Sequence, residues 1–166
     1  MLALIVLGGV ARLAAAWGSG LSWDESYHFS CALHPSLSYF DHPPLSILLG
    51  SMSLALAGGA RSLVLRWPFV LIFAGTTWLM FLLGRRLFGA WPGFYAALLL
   101  NLAPVFSLAV GIFFRPDGPL MFFWLACVWC LSHLIVGPPA RRPLAWWAAA
   151  GAMLGLACSA STRWGS

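Results

Sequence analysis

The stretch WPFVLIFAGTTWLMFLLGRR, residues 67–86, is an apolar run that ends in two arginines. Its apolar part approaches the ~20 residues that an α-helix needs to cross the hydrocarbon core of a bilayer. Arginines beside the end of such a run are typical of the cytoplasmic end of a membrane helix. Residues 67–83 therefore predict a transmembrane helix that runs inward and ends before Arg85 and Arg86.

Apolar runs of similar character fill most of the remaining chain. The 166 residues have a mean hydropathy of +0.89 and only 8% of them are charged, which excludes a soluble domain with a polar surface. Residues 1–20 lack a basic start and are interrupted by Arg12, so we interpret them as a retained first helix rather than a cleaved signal peptide. The composition predicts an all-α, polytopic membrane helical bundle of about five transmembrane helices, with a juxtamembrane helix in its first outer loop.

Two arginine pairs orient this predicted bundle. The positive-inside rule places Arg85-Arg86 and Arg141-Arg142 in the cytoplasm, and arginines scattered in this way do not form a nucleic-acid-binding patch. The segment 44–58 then begins and ends outside, and its ~15 residues at 1.5 Å each are too short to cross, which predicts a re-entrant or interfacial helix. The other predicted segments are a first outer loop at 18–43, a second outer turn at 114–118, and membrane helices at 92–113, 119–136 and 144–160.

All four acidic residues of the chain fall on the predicted outer face. Asp24, Glu25 and Asp41 lie in the first outer loop, and Asp117 lies in the second outer turn. Carboxylates beside a membrane suit a general base that takes a proton from an acceptor hydroxyl or amine. The structural alternative for Asp24 and Glu25 is a helix N-cap and a first-turn acid, favoured by the helix dipole, and this role can coexist with catalysis.

The histidines and cysteines carry weaker signals. The histidines lack the H-x-x-x-H spacing of a closed structural zinc site, although an open metal site of Asp41, His42 and a later residue is retained as a hypothesis. The other histidines and the C-V-W-C pair are interpreted structurally: His28 and His34 as surface or interface residues, His133 as a packed polar tip, and Cys127 and Cys130 as small packing residues. GAMLG, residues 151–155, matches the small-residue pattern of helix contacts with low specificity.

Five short motifs follow one another along the chain. Residues 23–50 read WDESYHFSCALHPSLSYFDHPPLSILLG, residues 65–89 read LRWPFVLIFAGTTWLMFLLGRRLFG, and residues 114–124 read FRPDGPLMFFW. They contain an Asp-Glu pair after the first helix, a Tyr-Phe-acid-basic-Pro-Pro-Leu element, an Arg-Leu-Pro-like helix start, a Gly-Arg-x-Leu-Phe-Gly inner turn and a Pro-Asp-x-Pro-Leu turn. In this order, over residues 20–125, the motifs resemble those of the GT-C membrane glycosyltransferases, in the branch of the protein O-mannosyltransferases and lipid A aminoarabinose transferases.

The resemblance implies transfer of a sugar from a polyprenyl-phosphate donor to an acceptor outside the membrane. It implies that Asp24 is the catalytic base with Glu25 as its motif partner, and that Asp117 is the acid of the second outer loop. Asp41 and His42 match the pair that faces the donor phosphate or a metal. The implied setting is a bacterial inner membrane, with membrane lipid around the helices, the active loops outside and an acceptor that the sequence does not identify.

One departure from the family pattern concerns the donor phosphate. Relatives often have lysine where this chain has His42, which is only partly cationic near neutral pH. Either a divalent metal cation bridges Asp41 to the phosphate, or Arg115 supplies the positive charge as a bidentate clamp.

The resemblance covers the N-terminal part of such enzymes. We interpret residues 1–166 as the N-terminal portion of a GT-C-like transmembrane domain. We expect a truncated or frame-disrupted fragment, because relatives continue beyond CSASTRWGS, residues 158–166. The sequence does not establish whether such a fragment is active. A small transporter is one alternative, since Arg12 and His133 fall inside apolar runs. A membrane scaffold without catalysis is the other.

Overall fold

The structure, a computed structural model, describes residues 1–34, 36, 39, 44–57, 62–138 and 141–160. The described residues form helices and contain no strand, which confirms the predicted all-α membrane bundle. The α-helices are α1 (Leu2–Gly18), α2 (Trp23–Ala32), α3 (Pro44–Ala57), α4 (Ser62–Phe88), α5 (Ala90–Leu102), α6 (Asp117–Ile135) and α7 (Pro143–Cys158), and a π-helical segment covers Val105–Val110.

Two of these helices, α4 and α6, are long and apolar enough to cross a membrane. A third candidate is the pair α1 and α2, which meet at a bend of 89°. The predicted number of about five membrane helices also counts α1, α5 and α7, which are apolar but only 17, 13 and 16 residues long. Large apolar side chains lie exposed on the outer surface of the bundle, as expected of a surface that contacts lipid: Leu2, Leu7, Leu71, Leu99, Trp124 and Trp147 are among them.

Helix α4 is the centre of the bundle and packs against α1, α3, α5 and α6, while α7 packs on α6. The α4–α5 contact depends on two glycines, because a Cβ added at Gly84 would lie 2.6 Å from the Cα of Gly93. By contrast, a Cβ at Gly151 or Gly155 would meet nothing within 4 Å. Gly84 and Gly93 therefore form a close small-residue helix contact, and GAMLG does not form one within the described chain.

A buried arginine in α1 ties three helices together at the break after α5. Arg12 donates from Nε to the Ser107 carbonyl at 3.2 Å and from its guanidinium to Asn101 Oδ1 at 2.9 Å. It also lies 4.3 Å from the centre of the Phe73 ring on α4. In turn, Asn101 Nδ2 donates to Thr77 Oγ1 at 3.1 Å. Arg12 thus has a local structural role at the π-helical segment.

The helix bounds differ from the prediction mainly around the candidate site. α4 begins at Ser62 rather than at residue 67, so Arg66 lies inside the helix. The first outer loop, predicted at 18–43, contains the helix α2, and the predicted helix 92–113 is divided into α5 and the π-helical segment. Cys127 and Cys130 are buried against α7 and His133 packs between two tryptophans, so these packing predictions are confirmed.

Candidate functional site

The site is built on a buried ion pair between α2 and α4. Arg66 Nε donates to Glu25 Oε1 at 2.7 Å, and a terminal nitrogen of the same guanidinium donates to Oε2 at 2.6 Å. Both side chains are fully buried. This bidentate geometry uses the planar fork of arginine, and it fixes the start of α2 against α4.

Glu25 is placed by a local helix-capping pattern. Ser22 caps α2, accepting from the Glu25 backbone N–H at 3.3 Å, while Glu25 Oε2 accepts from the Ser22 N–H at 2.9 Å. The other carboxylate oxygen accepts from the Phe114 N–H at 3.0 Å. With four hydrogen bonds and no exposed surface, this carboxylate has no open position from which to take a proton from an acceptor. Both acids therefore lie in the first turn of α2, as the structural alternative expected, but the N-cap is Ser22 and not one of the acids.

Arg66 also binds the end of α1. It donates to the carbonyls of Ala16, Ser19 and Gly20 at 3.2, 3.0 and 2.7 Å, and to the Ser19 hydroxyl at 2.7 Å. Each of its nitrogens therefore has at least one acceptor. One side chain thus closes the α1–α2 turn, satisfies the free carbonyls at the end of α1 and neutralises Glu25.

The protonation state of Glu25 follows from these contacts. Burial raises the pKa of a carboxyl group, but here the hydrogen bonds from Arg66, Ser22 and Phe114 and the charge of Arg66 outweigh burial, so the pKa of Glu25 is lowered. Glu25 is ionised at neutral pH.

Asp24, the preceding residue, lies in a different environment. Its carboxylate is 43% exposed and Oδ2 lies 2.8 Å from a terminal nitrogen of Arg115, whose side chain is 38% exposed. The Asp24 carbonyl is 2.8 Å from Nδ1 of His28, and Oδ1 lies 3.8 Å from the same ring nitrogen. Asp24 is therefore an accessible carboxylate with a cation beside it.

Aromatic rings pack against the inner face of α2, the helix that carries the two acids. Phe114 is fully buried, with its ring centre 5.1 Å from that of Phe69 and 5.5 Å from that of His28. A Cβ at Gly50 on α3 would overlap the Phe114 ring, so glycine is required there. α3 thus contributes to the site through packing.

The remaining predicted residues are distributed around this centre. Arg115 pairs with Asp24, whereas Asp117 is exposed in the first turn of α6. Asp41 and His42 lie outside the described residues, so their predicted phosphate or metal contacts are not placed. Within the described part of the chain, no three His, Cys, Asp or Glu side chains come together as a metal site.

Two residues of the site were missed or misjudged from the sequence. Arg66 was assigned no role beyond its motif, although a lone arginine at the start of an apolar helix is a signal for a buried partner. His28 was interpreted as a surface or interface residue; it is buried at 1% exposure on the inner face of α2 against Phe114, so the surface interpretation is wrong. His34 is exposed, as predicted.

One comparison with known proteins, the comparison with family models, agrees with the sequence motifs. Residues 41–160 match the family described as dolichyl-phosphate-mannose-protein mannosyltransferase. The match covers most of the chain, including Arg66, Arg115 and Asp117. Neither the curated proteins nor the solved structures gave a match.

Proposed function

The chain belongs to the dolichyl-phosphate-mannose-protein mannosyltransferase family, and on that premise we propose that it transfers a sugar from a polyprenyl-phosphate donor to an acceptor outside the membrane. The observation that carries the proposal is the Asp24–Arg115 pair, in which an accessible carboxylate lies 2.8 Å from a guanidinium. This pair supplies a base for the acceptor beside a cation for the donor phosphate.

In the proposed reaction, Asp24 takes a proton from an acceptor hydroxyl or amine. The freed acceptor atom forms a bond to the anomeric carbon of the sugar while the bond from that carbon to the phosphate oxygen breaks. The polyprenyl phosphate leaves with the electron pair, and Arg115 stabilises its negative charge. We assign Asp117 a contact with the acceptor or the sugar, because it is exposed two residues after Arg115.

Glu25 has a positioning role in this proposal. Its lowered pKa and four hydrogen bonds make it a poor proton acceptor, and its bonds to Arg66 and to the Phe114 N–H support the segment that carries Arg115. Glu25 therefore acts through Asp24 and Arg115 rather than on the substrate.

A divalent cation held by Asp41 and His42 is the alternative partner for the donor phosphate. An aspartate and an imidazole are suitable ligands for a transition-metal ion, and the phosphate itself would complete the coordination. The Arg115 proposal and the metal proposal make different predictions, because a chelator affects only the second.

We place the site at the outer face of a bacterial inner membrane, with α3 lying along the membrane surface. The arginine pairs support this orientation, since Arg85 and Arg86 end α4 at the far side of the bundle from Arg66. The apolar exterior of the helices supports contact with membrane lipid and with the polyprenyl chain of the donor.

The experiment uses membranes that contain the chain and a radiolabelled polyprenyl-phosphate mannose, with donor binding and release of polyprenyl phosphate as readouts. We expect the Asp24→Asn variant to bind donor normally. Its rate of polyprenyl phosphate release should fall by ~10²-fold or more, as for removal of a general base. Arg115→Ala should weaken donor binding, and Ser26→Ala, an exposed position on α2, is the matched control. Unchanged donor use in Arg115→Ala membranes, together with insensitivity to chelator, would exclude both explanations of phosphate binding.

The same variants test the alternatives of a transporter and a scaffold. Neither class requires a carboxylate at Asp24, so donor consumption would be absent in the wild type or unaffected by Asp24→Asn. The case for a transporter rested on Arg12 and His133. Both now have structural contacts, Arg12 with Asn101 and Ser107 and His133 with the Trp129 carbonyl at 3.0 Å.

A further inference from the structure

A polar cavity lies at the opposite end of α4 from the candidate site. It has a volume of about 320 Å³ and is lined by Leu82, Arg85, Arg86, Trp129 and His133; we name it the arginine-end pocket. Its volume is at the lower end of the range for small-molecule sites. The glycosyl-transfer proposal uses none of these residues.

The pocket has a rigid frame. Arg86 donates from Nε to the Ser132 carbonyl at 3.2 Å and from a terminal nitrogen to the Val136 carbonyl at 2.7 Å, which ties α4 to the end of α6. The His133 ring stacks on Trp146 of α7, with the ring centres 4.1 Å apart and an angle of 11° between the planes. Three helices therefore hold the walls in place.

The positive charge in this pocket is not balanced by any carboxylate in the described part of the chain. Among the described residues, Arg85 pairs with no carboxylate, and its guanidinium lies 5.5 Å from the centre of the Phe81 ring. The described acids, Asp24, Glu25 and Asp117, all belong to the other end of the bundle. An anion is the ligand that this arrangement favours.

The position of the pocket indicates what kind of anion it meets. Arg85 follows Arg66 by nineteen residues of continuous helix, which corresponds to about 28 Å along α4 and nearly matches the thickness of a bilayer core. Phe88 and Ile135, at the ends of α4 and α6, are 74% and 76% exposed. A phosphate in the pocket would therefore lie at a membrane interface, with apolar side chains beside it for acyl chains.

We propose that the arginine-end pocket binds the phosphate of an anionic phospholipid from the leaflet opposite to the candidate catalytic site. Arg85 makes the direct ionic contact, while Arg86 holds the wall and adds charge. Trp129 provides the amphipathic surface that is common at membrane interfaces. Basic pockets between membrane helices are suited to such headgroups.

The test is native mass spectrometry of the full chain in a neutral detergent, with phosphatidylglycerol and phosphatidylcholine of identical acyl chains as probes. We expect one phosphatidylglycerol to remain bound and phosphatidylcholine to be lost. Arg85→Ala should weaken phosphatidylglycerol binding about fivefold, as expected for one basic residue at a lipid headgroup. Arg141→Ala, which removes an equal charge at an exposed position outside the pocket, is the control.

Each other outcome overturns the proposal. Equal retention of the two lipids by the wild-type protein would exclude headgroup recognition, whether or not the variants fold. If Arg85→Ala and Arg141→Ala weaken phosphatidylglycerol binding equally, the binding depends on net charge and not on the pocket. Displacement of the lipid by millimolar inorganic phosphate would show that the pocket binds free phosphate instead.

Discussion

At the scale of single residues, adjacent acids have opposite environments. Glu25 is fully buried and bonded to Arg66, whereas Asp24 is 43% exposed and pairs with Arg115 at a surface. The helix geometry causes this difference, because consecutive residues of α2 point about 100° apart and only one of them can face α4. An Asp-Glu pair can therefore combine a structural acid with an accessible one.

The first prediction concerns the buried pair. Glu25→Gln keeps the shape of the side chain but leaves the Arg66 charge buried without a counter-charge, so it should lower the free energy of unfolding by about 3–5 kcal/mol. Thermal or denaturant unfolding in detergent measures this loss. Asp117→Asn, at an exposed acid, is the control and should change stability by less than about 0.5 kcal/mol. Equal stability of the two variants would show that the pair is not a structural anchor.

The second prediction concerns pH. Because the folded-state pKa of Glu25 is lowered, its ionised form is bound more tightly in the folded state, and this contribution to stability is present above the unfolded value of 4.5. It is lost as the pH falls from that value through the lower folded pKa. The stability difference between wild type and Glu25→Gln should therefore shrink below about pH 4.5. A difference that is constant from pH 7 to pH 3 would contradict this assignment.

At the scale of helices, most of the fold could be predicted from hydropathy. Apolar runs with arginines at their ends determine where membrane helices lie, since a backbone in lipid must satisfy its own hydrogen bonds. The Glu25–Arg66 contact was not predictable in the same way, because it joins residues 41 positions apart and depends on a 89° bend between α1 and α2. The hydrophobic periodicity of the sequence does not predict such a bend.

The third prediction tests the contact between α4 and α5. Gly84→Ala would place a methyl group 2.6 Å from the Cα of Gly93, so the helices must separate. We expect a loss of about 1–3 kcal/mol in unfolding free energy, as for overpacking of a core. Gly151→Ala, which meets nothing within 4 Å, should be neutral or slightly stabilising. If Gly84→Ala leaves the free energy of unfolding unchanged, α4 and α5 are not in close contact at these glycines.

At the scale of the whole molecule, charge is separated along the helix axes. The described acids and the arginines that pair with them, Arg66 and Arg115, lie at one end. Arg85 and Arg141, which pair with no carboxylate among the described residues, lie near the other. This separation links the proposed catalytic and lipid-binding sites, because one orientation in the membrane serves both. Arginine-rich ends remain cytoplasmic during insertion, which would leave the acidic end outside.

The fourth prediction tests that orientation in bacterial cells. In a chain with Cys31→Ser and Cys158→Ser, the two remaining cysteines are buried, so an added cysteine reports its own exposure. Asp117→Cys should react with a membrane-impermeant maleimide in intact cells, and Arg141→Cys should react only after the membrane is permeabilised. Both positions are exposed in the fold, so their difference reports the side of the membrane and not burial. The reverse pattern would place the acidic end in the cytoplasm, and a transferase acting outside the membrane would then be excluded.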